Sequence, residues 1–250
     1  MSEEFYIGYK NKMPSGISRF LRRVIAVIAL IMLALMLLLV KGQRPFLPSQ
    51  CEYPTVKSFE GVIIEKPYPL LLIEHHYSDK DRNFSLYYLV AEGKHGAGDL
   101  VKGLDRKFVS FKGSLTYLDG QTMIEIIGDS LQVKSNYTSN PFTYKFLDQR
   151  TFTGQIVDSK CYLGVMNPAD LGEHRDCAIR CISGGIPPLF IVQDKNGKKL
   201  YMLLESLDGK SVNQEVLGLI DEPVEITGRV MSYGNLLFLI SDPSTYRRIK

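Results

Sequence analysis

The sequence predicts a mainly β protein in which a single N-terminal transmembrane helix precedes two tandem OB-like five-stranded barrels, the second with a helical Cys/His insertion. Three observations support this fold class: one long apolar run, alternating apolar and polar residues after it, and a set of short motifs that occurs twice. The chain has 250 residues, of which 45% are hydrophobic, enough for two domains. A single apolar run excludes a polytopic transporter.

The apolar run extends over 17 consecutive residues, from Val24 to Val40. A helix of this length measures roughly 25 Å, which approaches the thickness of a hydrocarbon core. We therefore expect a cytoplasmic segment over 1–23 and a transmembrane helix over 24–40. A cleaved signal peptide is the alternative, but Lys41 and the residues after it include no small-residue cleavage pattern, which favours an uncleaved anchor.

The basic residues around the apolar run predict its orientation. Five lysines and arginines precede the run and two follow it, at Lys41 and Arg44. Because positive flanks stay inside, we expect the N-terminus in the cytoplasm, a single pass through the inner membrane, and the bulk of the chain in the periplasm.

The charge balance of the exported part argues against a nucleic-acid partner. The first 44 residues hold seven of the 30 basic and two of the 27 acidic residues, which leaves 23 basic and 25 acidic residues beyond them. Phosphate binding needs a clustered basic surface, whereas this part of the chain is nearly neutral.

Four matched motifs indicate that the exported part is duplicated. Phe59-Glu-Gly matches Phe152-Thr-Gly, Leu86-Tyr-Tyr matches Leu200-Tyr-Met, the glycine-containing strands at 109–115 and 224–230 match, and Gly120 and Gly234 each precede a final strand. The first pair is offset by 93 residues and the others by 114 or 115. The second copy therefore has an insertion of about 21 residues after its first strand. Two unrelated β-sandwich fragments are the alternative.

Each copy offers five short strands with a connection between the third and fourth, which is typical of a small closed barrel of the OB type. In the second copy that connection, residues 211–221, has apolar residues at helical spacing. We expect a proline-rich linker over 41–56, a first barrel over 57–145 and a second barrel over 146–250, with the Cys/His loop at 158–188.

The inserted loop holds three of the four cysteines, which marks it as the candidate site. Asp170 and Glu173 resemble a helix-start signal and glycines and prolines follow Ser183, so we expect a short helix from about Leu171 to Ser183. At about 100° per residue, one face of that helix presents His174, Cys177 and Cys181. Cys161 can approach as a fourth ligand, and Met166 as a fifth.

Three interpretations of this loop remain open. One histidine and three cysteines form a full tetrahedral set for zinc, and thiolates with an imidazole and a thioether also suit Cu(I). A disulfide from Cys161 to Cys177 or Cys181 would instead staple the loop to its strand. The third interpretation is a Cys177/Cys181 redox pair tuned by His174.

The loop from Cys161 to Pro188, following Phe152-Thr-Gly-Gln-Ile, resembles a motif of membrane-anchored exported bacterial proteins with OB-like domains and a C-x15-C-x3-C/His loop. The layout of one anchor and an exported small barrel is similar to that of periplasmic haem chaperones, although their haem-binding histidine motif has no counterpart here. The Cys177-x-x-x-Cys181 spacing is similar to the copper-binding pair of membrane-anchored Sco copper chaperones, which carry their histidine downstream of the pair. This resemblance favours copper.

These observations predict a membrane-anchored periplasmic protein with a metal-binding (copper or zinc) or thiol redox role that supports a respiratory or metalloenzyme system. The expected partners are other membrane or periplasmic proteins. The alternative is a structural or docking subunit whose cysteines form a stabilising disulfide. An enzyme is less favoured, because no Ser/His/Asp or paired-carboxylate arrangement is identified in the sequence.

Overall fold

A computed structural model describes residues 13–43, 48–79, 82–137, 144–170 and 172–249. The chain divides into two compact units, Met1–Phe46 and Leu47–Lys250. The first unit contains the helix α1 (Ser15–Gly42), in which no residue is buried. Within the described ranges α1 is the one helix long and apolar enough to cross a membrane, and it fits a single-pass anchor or a signal peptide.

The first half of the second unit is a closed barrel with two short added strands. Its elements are β1 (Gln50–Cys51), β2 (Lys57–Ile64), β3 (Leu70–Asp79), β4 (Arg82–Val90), α2 (Gly98–Val101), β5 (Lys107–Leu118), β6 (Gln121–Ile126) and β7 (Gln132–Asn136). The five barrel strands follow the order β2-β3-β4-β6-β5, and β5 pairs with β2 to close the ring. β4 and β6 run parallel and the other neighbours antiparallel. β1 pairs with β5, so the predicted linker contains a short strand.

The second half repeats this topology. Its elements are β8 (Lys145–Asp158), α3 (Arg175–Ser183), β9 (Pro188–Gln193), β10 (Lys199–Glu205), β11 (Pro223–Tyr233), β12 (Leu236–Ile240) and β13 (Arg247–Arg248). The barrel order is β8-β9-β10-β12-β11, with β11 returning to β8 and with β10 and β12 parallel. The predicted pair of closed five-stranded barrels is confirmed.

Matched glycines occupy equivalent places in the two barrels. A Cβ added at Gly61 would lie 2.5 Å from the Leu72 carbonyl oxygen, and one added at Gly154 would lie 2.3 Å from the Ile191 oxygen. Gly113 and Gly228 face the carbonyl of the next strand in the same way. Because a small barrel brings strands into this close approach, only glycine fits there, which explains why the repeated motifs retain it.

The core consists of three apolar clusters. One fills the first barrel and includes Ile63, Leu71 and Ile124. A second fills the other barrel. The third lies between the barrels and combines residues such as Leu72 and Tyr88 from the first with residues such as Leu203 and Phe238 from the second. The barrels therefore share a buried apolar interface.

The connection between β10 and β11 forms one short 3₁₀ turn, Leu217–Leu219, rather than a longer helix. Its apolar residues at helical spacing, Val212, Val216 and Ile220, are nevertheless fully buried. The helix does not continue because Asp221 takes a positive φ of 57° and Pro223 begins the next strand.

Candidate metal centre

The candidate site is built on the connection between the first two strands of the second barrel. In the first barrel this connection spans residues 65–69, whereas in the second it spans 159–187. The longer connection contains a π-helical turn at Cys161–Val165 and the helix α3. α3 begins at Arg175, later than the expected start at Leu171, and Leu171 lies outside the described residues.

The sulfur atoms of Cys161, Cys177 and Cys181 lie within 4.8 Å of one another, and we call these three residues the thiol cluster. Cys177 and Cys181 are one helical turn apart on α3, so their side chains lie on the same face. Cys161 approaches from the turn after β8. Cys161 and Cys181 are buried and Cys177 is half-buried. All four cysteines are free thiols, including Cys51, which is exposed on β1.

His174 lies beside Cys161 and forms a buried pair with Asp158. Its Nε2 is 2.8 Å from Oδ2 of Asp158, and the other carboxylate oxygen accepts the Cys161 backbone N–H at 2.8 Å. The ligand atoms of Asp158, Cys161 and His174 also lie within 4.8 Å of one another. Cys161 therefore belongs to two sets of ligand atoms, one of three sulfurs and one of mixed oxygen, sulfur and nitrogen.

Electrostatic interactions give the groups of this centre different proton affinities. The hydrogen bond with the Asp158 carboxylate raises the pKa of His174, because the anion stabilises the imidazolium. The pKa of Cys181 is lowered, first by the hydrogen bond that the Cys161 thiol donates to its sulfur and then by Cys177 and the Lys94 ammonium. The pKa of Cys161 is raised because its proton is held in that bond and its sulfur is buried. Cys181 is thus the member of the pair that ionises first.

The first barrel contributes a lysine to the thiol cluster. Residues 91–97, which we call the glycine loop, connect β4 to α2 and carry Lys94, whose Nζ donates to the Cys177 sulfur at 3.1 Å. In the sequence this stretch is explained best as a loop between strands, and nothing in its local pattern connects it with the cysteines. The glycine content of the loop and of Gly184-Gly185 is the feature of the sequence that could have indicated a close contact here.

The glycine loop is held against the insertion by backbone contacts. The Gly96 N–H donates to the Gly184 carbonyl at 2.9 Å, and a Cβ at Gly96 would lie 2.0 Å from the Gly185 oxygen. The buried Lys160 ammonium donates to the Ala91 and Gly93 carbonyls at 2.9 and 2.7 Å. Its charge is paired with Glu125 of β6, at 2.6 Å. The backbone around Lys94 is therefore held in place by hydrogen bonds before and after it in the loop.

Met166 and Asp221 differ in burial: the Met166 side chain is exposed and Asp221 is buried. The Met166 side chain is 47% exposed, and its backbone N–H donates to the Cys161 carbonyl at 3.1 Å. Asp221 is only 4% exposed, yet neither of its carboxylate oxygens accepts a hydrogen bond from the described residues. Burial raises the pKa of Asp221 to about 7. Asp221 was not a candidate in the sequence, because it lies outside the insertion and in no recognisable ligand spacing.

The centre combines two properties that metal sites require: convergent ligand atoms and a buried surrounding that holds them in place. Both the thiol set and the Asp158/Cys161/His174 set can hold a metal ion by ligand type and spacing. Comparisons with protein-family models, with curated proteins and with solved structures found no match. The functional argument therefore depends on the fold and on this geometry.

Proposed function

We propose that this protein is a membrane-anchored metal-binding protein whose thiol cluster takes a thiophilic ion, Cu(I) or Zn(II). The single observation that carries the proposal is the convergence of three sulfur atoms within 4.8 Å of one another. Sulfurs that bind one tetrahedral ion at about 2.3 Å lie about 3.8 Å apart, so small side-chain rotations suffice to bring the three thiols onto one ion.

The other predicted ligands, His174 and Met166, have different roles in this proposal. His174 is the nitrogen ligand on the Cys161 side of the cluster, and Asp158 orients its ring through Nε2. Met166 is an auxiliary thioether ligand in this proposal. Its backbone N–H donates to the Cys161 carbonyl, which keeps the residue near the cluster, and its side chain is exposed to solvent. Half-buried Cys177 is the thiol through which an incoming ion first meets the cluster.

We further propose that α1 anchors the protein in the inner membrane with its N-terminus in the cytoplasm and both barrels in the periplasm. The excess of basic residues before the apolar run supports this orientation. In that compartment, the protein would supply or store metal for a membrane respiratory or metalloenzyme system. The short distances between thiols also favour a second candidate, an oxidised cluster in which a disulfide staples the loop.

The test is metal content of the full chain, purified in detergent under reducing, oxygen-free conditions and loaded separately with Zn(II) and Cu(I). We expect the wild type to retain bound metal after desalting, and Cys177→Ser and Cys181→Ser to lose affinity by at least tenfold. Cys51→Ser is the matched control, because this thiol lies outside the cluster and should leave binding unchanged.

A thiol count under denaturing conditions, with and without reductant, separates the two candidates. No bound metal together with two oxidised cysteines in protein purified without reductant would refute metal binding and leave the disulfide staple.

A further inference from the structure

The second set of ligand atoms, those of Asp158, Cys161 and His174, is not explained by the binding of one ion to the thiol cluster. Asp158 and His174 are 0% and 3% exposed, and their ligand atoms lie within 4.8 Å of one another and of the Cys161 sulfur, whereas Cys177 of the thiol cluster is partly accessible. A carboxylate, an imidazole and a thiolate are together a ligand set that Zn(II) commonly takes. One position of a tetrahedral site remains to be filled.

Asp221, a buried carboxylate on the segment beside β8, is the candidate for this position. Its backbone N–H donates to the Ile156 carbonyl at 2.9 Å, which places it beside β8 two residues before Asp158 in register. Arg175, which follows His174, pairs with Glu222, which follows Asp221, so the two segments are clamped together. Burial raises the pKa of Asp221, the charge of His174 lowers it and the Asp158 carboxylate raises it, so the charge of Asp221 is coupled to both groups.

A buried carboxylate without a hydrogen-bond partner is costly, and such groups are usually compensated by an ion or a proton. Both oxygens of Asp221 are in this condition within the described part of the chain. A cation bound between Asp221, Asp158 and His174 would remove the imbalance.

We propose that the centre is binuclear: a second divalent ion, Zn(II), binds to Asp158, His174 and Asp221, and the Cys161 thiolate bridges it to the ion of the thiol cluster. The inference rests on the proposed function and refines it, because His174 then serves the second ion and Asp158, which orients the His174 ring in the mononuclear site, becomes a ligand as well. A thiolate sulfur has lone pairs enough for two ions. Three thiolates and two carboxylates carry as many negative charges as two Zn(II) ions and the Lys94 ammonium carry positive ones. Binding releases to solvent the protons of the thiols, the proton that charges the His174 imidazolium and the proton held by Asp221.

The experiment measures Zn(II) stoichiometry of the full chain in detergent, after reduction, saturation with Zn(II) and desalting. We expect two equivalents for the wild type, one for Asp221→Asn, and two for the matched control Asp129→Asn, whose side chain is exposed in the first barrel. The double variant Cys177→Ser/Cys181→Ser should keep one equivalent, held by the Asp/His/Cys161 set. Circular dichroism checks that each variant is folded.

Outcomes separate this inference from the proposed function. One equivalent in the wild type, lost in Cys177→Ser and unaffected by Asp221→Asn, overturns the binuclear centre and keeps the thiol site. No metal in the wild type overturns both. Co(II) titration gives a second measurement that needs no variant: a bridging thiolate couples two Co(II) ions, so the paramagnetic resonance signal per ion should fall between one and two equivalents. A signal that rises in proportion to added Co(II) contradicts the bridge.

Discussion

Lys94 shows how a single residue connects the two barrels at the candidate metal centre. Its ammonium is 3.1 Å from the Cys177 sulfur, and its position is set by the Gly96 backbone bond to Gly184. A cluster of thiolates with one metal ion keeps a net negative charge, and a cation at hydrogen-bond distance stabilises that charge. In the proposed site Lys94 would therefore act on the ion through a ligand rather than by binding it.

At this scale we predict that Lys94→Met weakens metal affinity roughly tenfold while the metal-free protein keeps its fold. The reason is that methionine retains the length of the side chain and removes its charge. Competition with a chromogenic chelator measures the affinity. Lys102→Met, an exposed lysine on the same barrel, should leave it unchanged. Equal affinities for the two variants would show that the contact has no role in binding.

At the scale of elements, the glycine loop and the end of α3 meet without side chains between them. Gly96 and Gly184 approach so closely that a Cβ at either would lie about 2 Å from a carbonyl oxygen of the other segment, 2.0 Å at Gly96 and 2.1 Å at Gly184. Because the obstructing atoms are backbone, the segments must separate to accept a larger residue. Such a shift would carry Lys94 away from Cys177.

We predict that Gly96→Ala destabilises the protein by about 2–4 kcal/mol and also weakens metal binding. Gly98→Ala is the matched control: Gly98 lies two residues later, at the start of α2, and a Cβ added there meets nothing within 4 Å, so the effect should stay within about 0.5 kcal/mol. Thermal unfolding and chelator competition measure the two effects. A Gly96→Ala protein as stable as the control would contradict the close packing.

The sequence predicted the strands and the spacing of the cysteines, but not the contacts between distant elements. The barrels were predictable because each strand carries its alternation locally and because the motif pairs, such as Gly113 and Gly228, repeat the same close approach. The clustering of Cys177 and Cys181 followed from helical spacing. The contact of Lys94 with Cys177 joins residues 83 apart, and the burial of Asp221 depends on packing across β8. No local pattern encodes either feature, since both arise from how the barrels and loops pack.

At the scale of the whole molecule, the shared apolar cluster makes the two barrels one structural unit. Tyr68 illustrates the connection: it lies between β2 and β3, is 1% exposed, and contacts the second barrel through its hydroxyl. That hydroxyl donates to the Leu204 carbonyl at 2.6 Å and accepts the Val212 N–H at 3.1 Å. Because Lys94 of the first barrel also contacts Cys177 of the second, the geometry of the candidate metal centre depends on how the barrels dock.

We predict that residues 47–250 unfold in one cooperative transition and that Tyr68→Phe destabilises this whole unit. The substitution leaves a buried carbonyl and a buried N–H without partners, which costs about 1–3 kcal/mol and lowers the midpoint by roughly 2–4 °C per kcal/mol. Circular dichroism reports both barrels, and reaction of the buried Cys161 and Cys181 with a thiol reagent reports the interface. Both signals should shift together in Tyr68→Phe and remain unchanged in Tyr53→Phe, where the ring is 73% exposed.

Two separate transitions, with thiol reactivity unchanged by Tyr68→Phe, would contradict this prediction. The barrels would then fold independently, and the candidate metal centre would not require their docking.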